Sequence, residues 1–271
     1  MSPLTRVVLS APDRLSADLL VLGLCESDRV EDAALPAPMA TAIATELRRV
    51  RWKAERDRVH HLTLERGRRR VAVLGAGPSR DLDRRRFDGW LGKALQLGQE
   101  QRASRLAIAP PAHDETRSAA AAFRVLVRLA LSGYRFDAFK ASDNGRPARA
   151  VQLLPPRDAA AVYREQRAAA AAAAEGAALA RDLGNTPPNV ATPDWLATRA
   201  RSIAADAGMK ATVYRLAELR KMGMGGLIAV GEGSSHAPRL VRLEWGRRGP
   251  TVALVGKGVT FDTGGISIKP A

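Results

Sequence analysis

Leu19-Leu20-Val21-Leu22-Gly23-Leu24-Cys25 is a seven-residue apolar run, with Asp13, Arg14 and Asp18 just ahead of it. It is too short to span a membrane and wrongly flanked for a signal peptide. A buried strand over Leu19–Leu24 remains. Four similar runs, each about five residues long, are bounded by Gly, Pro, Asp or Ser: Arg6–Ser10, Arg70–Leu74, Arg105–Ala109 and Ala150–Leu154. Between them, helical patterns predict helices over Ala37–Arg51, Arg84–Arg102 and Glu115–Leu131. In the second of these, Phe87, Trp90, Leu91, Ala94 and Leu95 fall at helical spacing, and Gly133 stops the third. Strand–helix alternation of this kind specifies an α/β layer architecture.

The pattern changes after Pro155-Pro156. A helix over Arg164–Asp182 follows, with seven consecutive alanines at 168–174. Ala has the highest helix propensity, so the helix is expected to form although it has few large side chains to pack. The turn Asn185-Thr186-Pro187-Pro188-Asn189 ends it. We therefore expect a first α/β domain over 1–155, a connecting helix over 156–184 and a second domain beginning at 185. In that second part Thr192-Pro193-Asp194 starts a helix that runs to about Ala207, with Thr as the cap. Strands are expected at Ala211–Tyr214, Leu227–Val230, Arg239–Glu244 and Thr251–Val255, and a short helix at Leu216–Lys221. Val252-Ala253-Leu254-Val255 is continuously apolar, as suits a central strand buried on both faces.

Composition excludes several classes. The chain has 271 residues, 46% of them hydrophobic, which suits a packed core and argues against disorder. A single cysteine, Cys25, permits no disulfide framework and no cysteine-based zinc site within these residues. It ends an apolar strand and reads as a core thiol. His60, His61, His113 and His236 never fall at the spacing of a zincin. His60 and His61 read as surface residues, Trp195 as packing, and Asn185 and Asn189 as turn residues. The expected setting is a soluble, cytoplasmic protein with no membrane association. Net charge is +15, and Arg outnumbers Lys 36 to 7 among 50 alanines. That bias reads as a solvated basic surface. Residues 47–70 hold ten basic and three acidic side chains, the one concentrated basic stretch. They raise nucleic-acid binding as a second reading, although Trp52 is their sole aromatic residue.

Chemistry concentrates after the last expected strand, in Gly256-Lys257-Gly258-Val259-Thr260-Phe261-Asp262-Thr263-Gly264-Gly265. A phosphate loop would need Gly where Thr251 stands and Ser or Thr where Gly258 stands. No G-x-G-x-x-G occurs either, and Gly75-Ala76-Gly77 lacks the third glycine. What remains is Lys257, Asp262 five residues on, and Lys269 seven beyond that, at the carboxyl end of a strand where open α/β sheets bind ligands. A carboxylate suits a divalent cation, and a lysine can ligate one as the neutral amine. A simple Lys–Asp ion pair in a glycine turn fits the same spacing.

The run Leu254–Pro270 closely resembles the leucyl (cytosol) aminopeptidase family. Two further segments match that family in order and spacing, Ala180-Arg181-Asp182-Leu183-Gly184-Asn185-Thr186-Pro187-Pro188-Asn189 and Leu219–Ser234. The strong likeness covers about residues 178–271, and the first half matches in general layout. The resemblance implies a mixed-sheet, macro-like α/β domain, then the connecting helix, then the opening part of an α/β peptidase domain over 185–271. It implies a metallo-exopeptidase, in full length a hexamer with catalytic domains inside, that releases N-terminal residues, often leucine, from peptides. Lys257 would ligate one of two divalent metals (zinc or manganese), Asp262 would bridge both, and Lys269 would stay cationic and stabilise the oxyanion.

In that family the remaining metal carboxylates, and an arginine associated with a bicarbonate base, lie in later segments. One Asp would fall about eighteen residues past Asp262 and an Asp-x-Glu-x-Arg cluster later still, both beyond Ala271. Two ligand side chains do not assemble a paired-metal site. We therefore expect residues 1–271 alone to lack peptidase activity, to bind metal weakly and to expose an apolar sheet edge in their second half. Some relatives bind DNA, which keeps residues 47–70 open as an additional nucleic-acid surface. A structural cap on an oligomer is the first domain's other reading.

Overall fold

A computed structural model describes residues 4–64, 69–140, 150–246 and 248–260. The chain divides into two compact units, Met1–Asp182 and Leu183–Ala271.

In chain order, unit 1 contains β1 (Arg6–Leu9), β2 (Leu19–Cys25), α1 (Ala37–Arg49), β3 (Val59–Leu64), β4 (Arg69–Gly77), α2 (Arg84–Glu100) and β5 (Leu106–Ala109). It continues through α3 (Asp114–Arg117), α4 (Ala119–Leu131), β6 (Ala150–Leu153) and α5 (Ala160–Asn185), whose last residues pass into unit 2. The six strands form one sheet in the order β1-β6-β5-β2-β4-β3. All neighbours are parallel except β3, which runs antiparallel to β4 at the edge.

β2 shows why its sequence is apolar throughout. Leu19, Val21 and Cys25 belong to one core with Phe87, Trp90 and Leu91 of α2, Val125 and Leu129 of α4, and Tyr163 of α5. Leu20, Leu22 and Leu24 belong to the opposite core with Met39, Ile43 and Leu47 of α1. Successive side chains of a strand point to opposite faces, so a strand covered on both sides is apolar at every position.

All five strands expected in this half are present, with ends shifted by no more than a few residues. β3 was not foreseen. Val59, Leu62 and Leu64 are half-buried, but His60, His61 and Thr63 interrupt them in the middle of a basic stretch. An edge strand with one covered face needs only that much apolar content.

The helix expected over Glu115–Leu131 breaks at Ser118. That residue is extended (φ −73°, ψ 159°) and its hydroxyl accepts the Ala121 N–H at 3.1 Å, so it caps α4. α5 is longer than expected, with 26 residues in place of Arg164–Asp182. Ala170, Ala174 and Ala178 form its buried stripe at a spacing of four.

Unit 2 contains α6 (Pro193–Asp206), β7 (Lys210–Tyr214), α7 (Leu216–Lys221), α8 (Gly225–Gly231) and β8 (Leu240–Glu244). β7 and β8 form a two-stranded antiparallel sheet. α6 starts as the sequence implied, with Thr192 Oγ1 accepting the Trp195 N–H at 3.3 Å.

Two expectations fail here. Leu227–Val230 lies in helix α8, since a four-residue apolar run satisfies helix and strand alike until a neighbouring strand decides. Thr251–Val255 is not a strand, because no described segment pairs with it. Leu254 and Val255 are 95% and 94% exposed.

Among the described residues no helix is long and apolar enough to cross a membrane.

Candidate functional site

The sequence directs attention to two places: the carboxyl edge of the large sheet and the glycine-rich segment after β8.

The sheet edge is filled. A Cβ on Gly23 of β2 would sit 2.4 Å from both Pro111 Cδ and Trp90, and one on Gly75 of β4 would sit 2.1 Å from the Glu55 carbonyl oxygen. These glycines permit close packing against neighbouring chain, where a phosphate-binding loop would leave room for a ligand. Gly77 has φ +80° and turns the chain out of β4.

Cys25 ends β2 at this edge. Its N–H donates to Asp28 Oδ2 at 2.7 Å. Burial, then the Asp28 charge, pushes the Cys25 thiol up to about 12. Burial also raises the Asp28 carboxyl, against the opposing pull of the Cys25 N–H. A protonated, buried thiol is a poor nucleophile, so Cys25 is the core thiol its sequence position suggested.

The second place lies in unit 2. Arg239, just ahead of β8, grips Asp194 in the first turn of α6 with two parallel hydrogen bonds of 2.7 and 2.8 Å. Its Nη1 also donates to the Ala237 and Pro238 carbonyls. This fork fixes where β8 begins, and the Lys257 segment follows β8. No local pattern signals it, because a pair 45 residues apart is set by the fold. Past β8 the chain from 250 to 260 has no regular structure. Lys257 is exposed, and a Cβ on Gly256 or Gly258 would meet nothing within 4 Å. Asp262 and Lys269 lie outside the described residues. Their arrangement with Lys257 is therefore not part of this geometry.

A lysine amine and a carboxylate form a donor set that fits a divalent cation. Among the described residues no group of three or more His, Cys, Asp and Glu could hold a metal. Lys257 is the one described member of the donor set.

Five of the eight described basic side chains of the 47–70 stretch have partners within unit 1, while Arg51, Lys53 and Arg56 are exposed. Arg48 pairs with Glu31, Arg49 with Glu46 and Arg58 with Glu55. Arg69 donates to the Leu15 carbonyl, and Arg70 to the Gln101 carbonyl and Asp18. Arg66 and Arg68 lie outside the described residues. His61 is on the surface as expected, whereas His60 is half-buried, 3.6 Å from Glu46.

The six-stranded mixed sheet of unit 1 and the small sheet and helices of unit 2 define the class: a two-unit α/β protein. Comparison with known proteins supplies the family. Residues 21–143 match the cytosol aminopeptidase family's N-terminal domain, and residues 178–271 match its catalytic domain. The chain belongs to the cytosol aminopeptidase family. It is 37% identical to a probable cytosol aminopeptidase of Roseiflexus castenholzii, over 98% of this chain and 55% of that protein. Against a probable cytosol aminopeptidase of Geobacter sp. identity is 33%, over 98% of this chain and 56% of that protein. The chain thus spans about half the length of these curated relatives. Among solved structures, a tomato leucine aminopeptidase mutant superimposes with a TM-score of 0.73 at 20% identity, covering 97% of this chain and 56% of that one. The bottromycin maturation enzyme BotP in complex with Mn gives 0.62 at 29% identity, covering 84% and 45%.

Proposed function

We propose that these residues supply the first domain and the opening part of the catalytic domain of a metal-dependent aminopeptidase that releases N-terminal amino acids, leucine among them, from peptides. The observation that carries this reading is the Leu254–Pro270 run inside the matched catalytic segment. Lys257 and Asp262 would hold the metal ions, zinc or manganese, with Asp262 between the two. The manganese in the BotP complex supports a divalent ion at this kind of site. When bound, such ions would lower the pKa of a water and polarise the scissile carbonyl. Lys257 would hold a metal ion through its amine nitrogen. Lys269 keeps its proton and places a fixed positive charge where the oxyanion develops, an effect typically worth about a hundred- to a thousandfold in rate. Gly256 and Gly258 leave room beside Lys257 for groups to approach.

Residues 1–271 alone carry two of the metal-ligating side chains and are proposed to be inactive. They are proposed to join a hexamer only within the longer protein, which works in the cytoplasm. Leucine-amide hydrolysis distinguishes the two. The protein carrying this sequence with the later carboxylates hydrolyses the amide, loses that ability on chelation and recovers it with Zn²⁺ or Mn²⁺. Residues 1–271 alone show none. Hydrolysis by residues 1–271 alone, or hydrolysis by the longer protein that survives chelation, contradicts the proposal.

A further inference from the structure

We propose that unit 1 carries a second binding site, for a small carboxylate with an apolar body, such as an aryl or branched-alkyl acid, in the groove between α2 and α4 beside the end of α5. The groove is open to solvent and has a volume of about 670 Å³, within the range of small-molecule sites of about 300–1,000 Å³. Its floor is apolar. Phe123, Val127 and Leu131 recur every four residues along α4, and Leu95 faces them from α2. Gly92 keeps the α2 side low, and a Cβ there would meet the Arg128 guanidinium at 3.5 Å.

The rim holds four guanidiniums, those of Arg84, Arg124, Arg128 and Arg181. Two carboxylates answer them. Arg124 binds Glu115, and its Nε lies 3.6 Å from Asp88 Oδ1, which is also 3.4 Å from Arg128. Arg84 and Arg181 have no carboxylate partner among the described residues. Arg181 lies over the Tyr134 ring, 5.3 Å from its centroid. Arg124 Nε is buried at the groove wall and makes no hydrogen bond. The groove thus combines surplus positive charge, in Arg84 and Arg181, with an apolar floor. A guanidinium fork matches a planar carboxylate in a bidentate pair. The floor favours an apolar body over a nucleic-acid backbone, which would need a continuous charged track. None of these residues belongs to the Lys257–Lys269 run, so this site uses none of the side chains proposed to hold metal.

Calorimetric titration of the intact 271-residue chain with 4-phenylbutyrate tests this, with 4-phenylbutylamine as the cationic control. The expected result is saturable binding at one site by the acid and none by the amine. Replacing both unpaired arginines, Arg84→Gln with Arg181→Gln, weakens binding about tenfold or more, the loss expected for charged hydrogen bonds. Arg84→Gln alone gives a smaller loss in the same direction. Circular dichroism melts matching the unsubstituted chain show that the variants fold. No saturable binding of the acid, equal affinity in the double variant, or equal binding of the amine would each overturn the proposal.

Discussion

β2 and residues 251–255 are both continuous apolar runs, and the fold treats them in opposite ways. β2 has a strand on each side and helices on both faces, and Leu19 to Leu22 are fully buried. The 251–255 run pairs with no described segment, and its leucine and valines stand in the open. An apolar run encodes the demand for burial. The strand itself is made by its neighbours, and for parallel sheets those lie far away in sequence. In unit 1 the neighbours of β2 come 50 to 90 residues later, at Arg70 and Leu106.

The contrast can be broken by substitution. Phe87 of α2 is fully buried in the core that Leu19 and Val21 enter. Phe87→Ala should destabilise unit 1 by about 3–5 kcal/mol, read as a lowered urea midpoint. A loss under about 1 kcal/mol would show that this core is not the cooperative unit described here. Cys25 offers a smaller test. Its thiol is raised from 9.0 to about 12 in the fold, so the unfolded chain ionises first as pH rises. Above about pH 9 the unfolded state binds fewer protons than the native one, and stability falls with pH until about pH 12. Cys25→Ala should remove that slope, as seen in denaturation midpoints between pH 8 and pH 10. Ser118→Ala removes the α4 cap and should cost about 1 kcal/mol. At the far end, Leu254→Lys should change the stability of the 271-residue chain by less than about 0.5 kcal/mol, because the side chain already stands in solvent. It should reduce aggregation of that chain in light scattering. A large loss of stability would mean that the run is buried after all.

Much of unit 1 was legible in its sequence because its signals are local. Buried strands are apolar at every residue, and helices repeat at about 3.6. Thr192 and Gly208 mark the ends of α6 by their own chemistry. What escaped was non-local or finely balanced. β3 earns its place by pairing with β4, with histidines on it. Leu227–Val230 is apolar enough for either state, and no described strand pairs with it to decide for a sheet. The candidate metal site was legible through the likeness of the Leu254–Pro270 run to the aminopeptidase family, since spacing alone fitted a simple Lys–Asp ion pair as well. That likeness makes Lys257 and Asp262 the donors, while the Arg239–Asp194 fork ahead of β8 left no trace in either neighbourhood.

The central claim is that Lys257 serves as a metal-ligating amine in a peptidase. The direct test is leucine-amide hydrolysis, with bound metal counted, by the protein carrying this sequence together with the later carboxylates, before and after Lys257→Ala. The account predicts at least a hundredfold loss of activity together with loss of bound zinc or manganese. Unchanged activity with full metal content would contradict it.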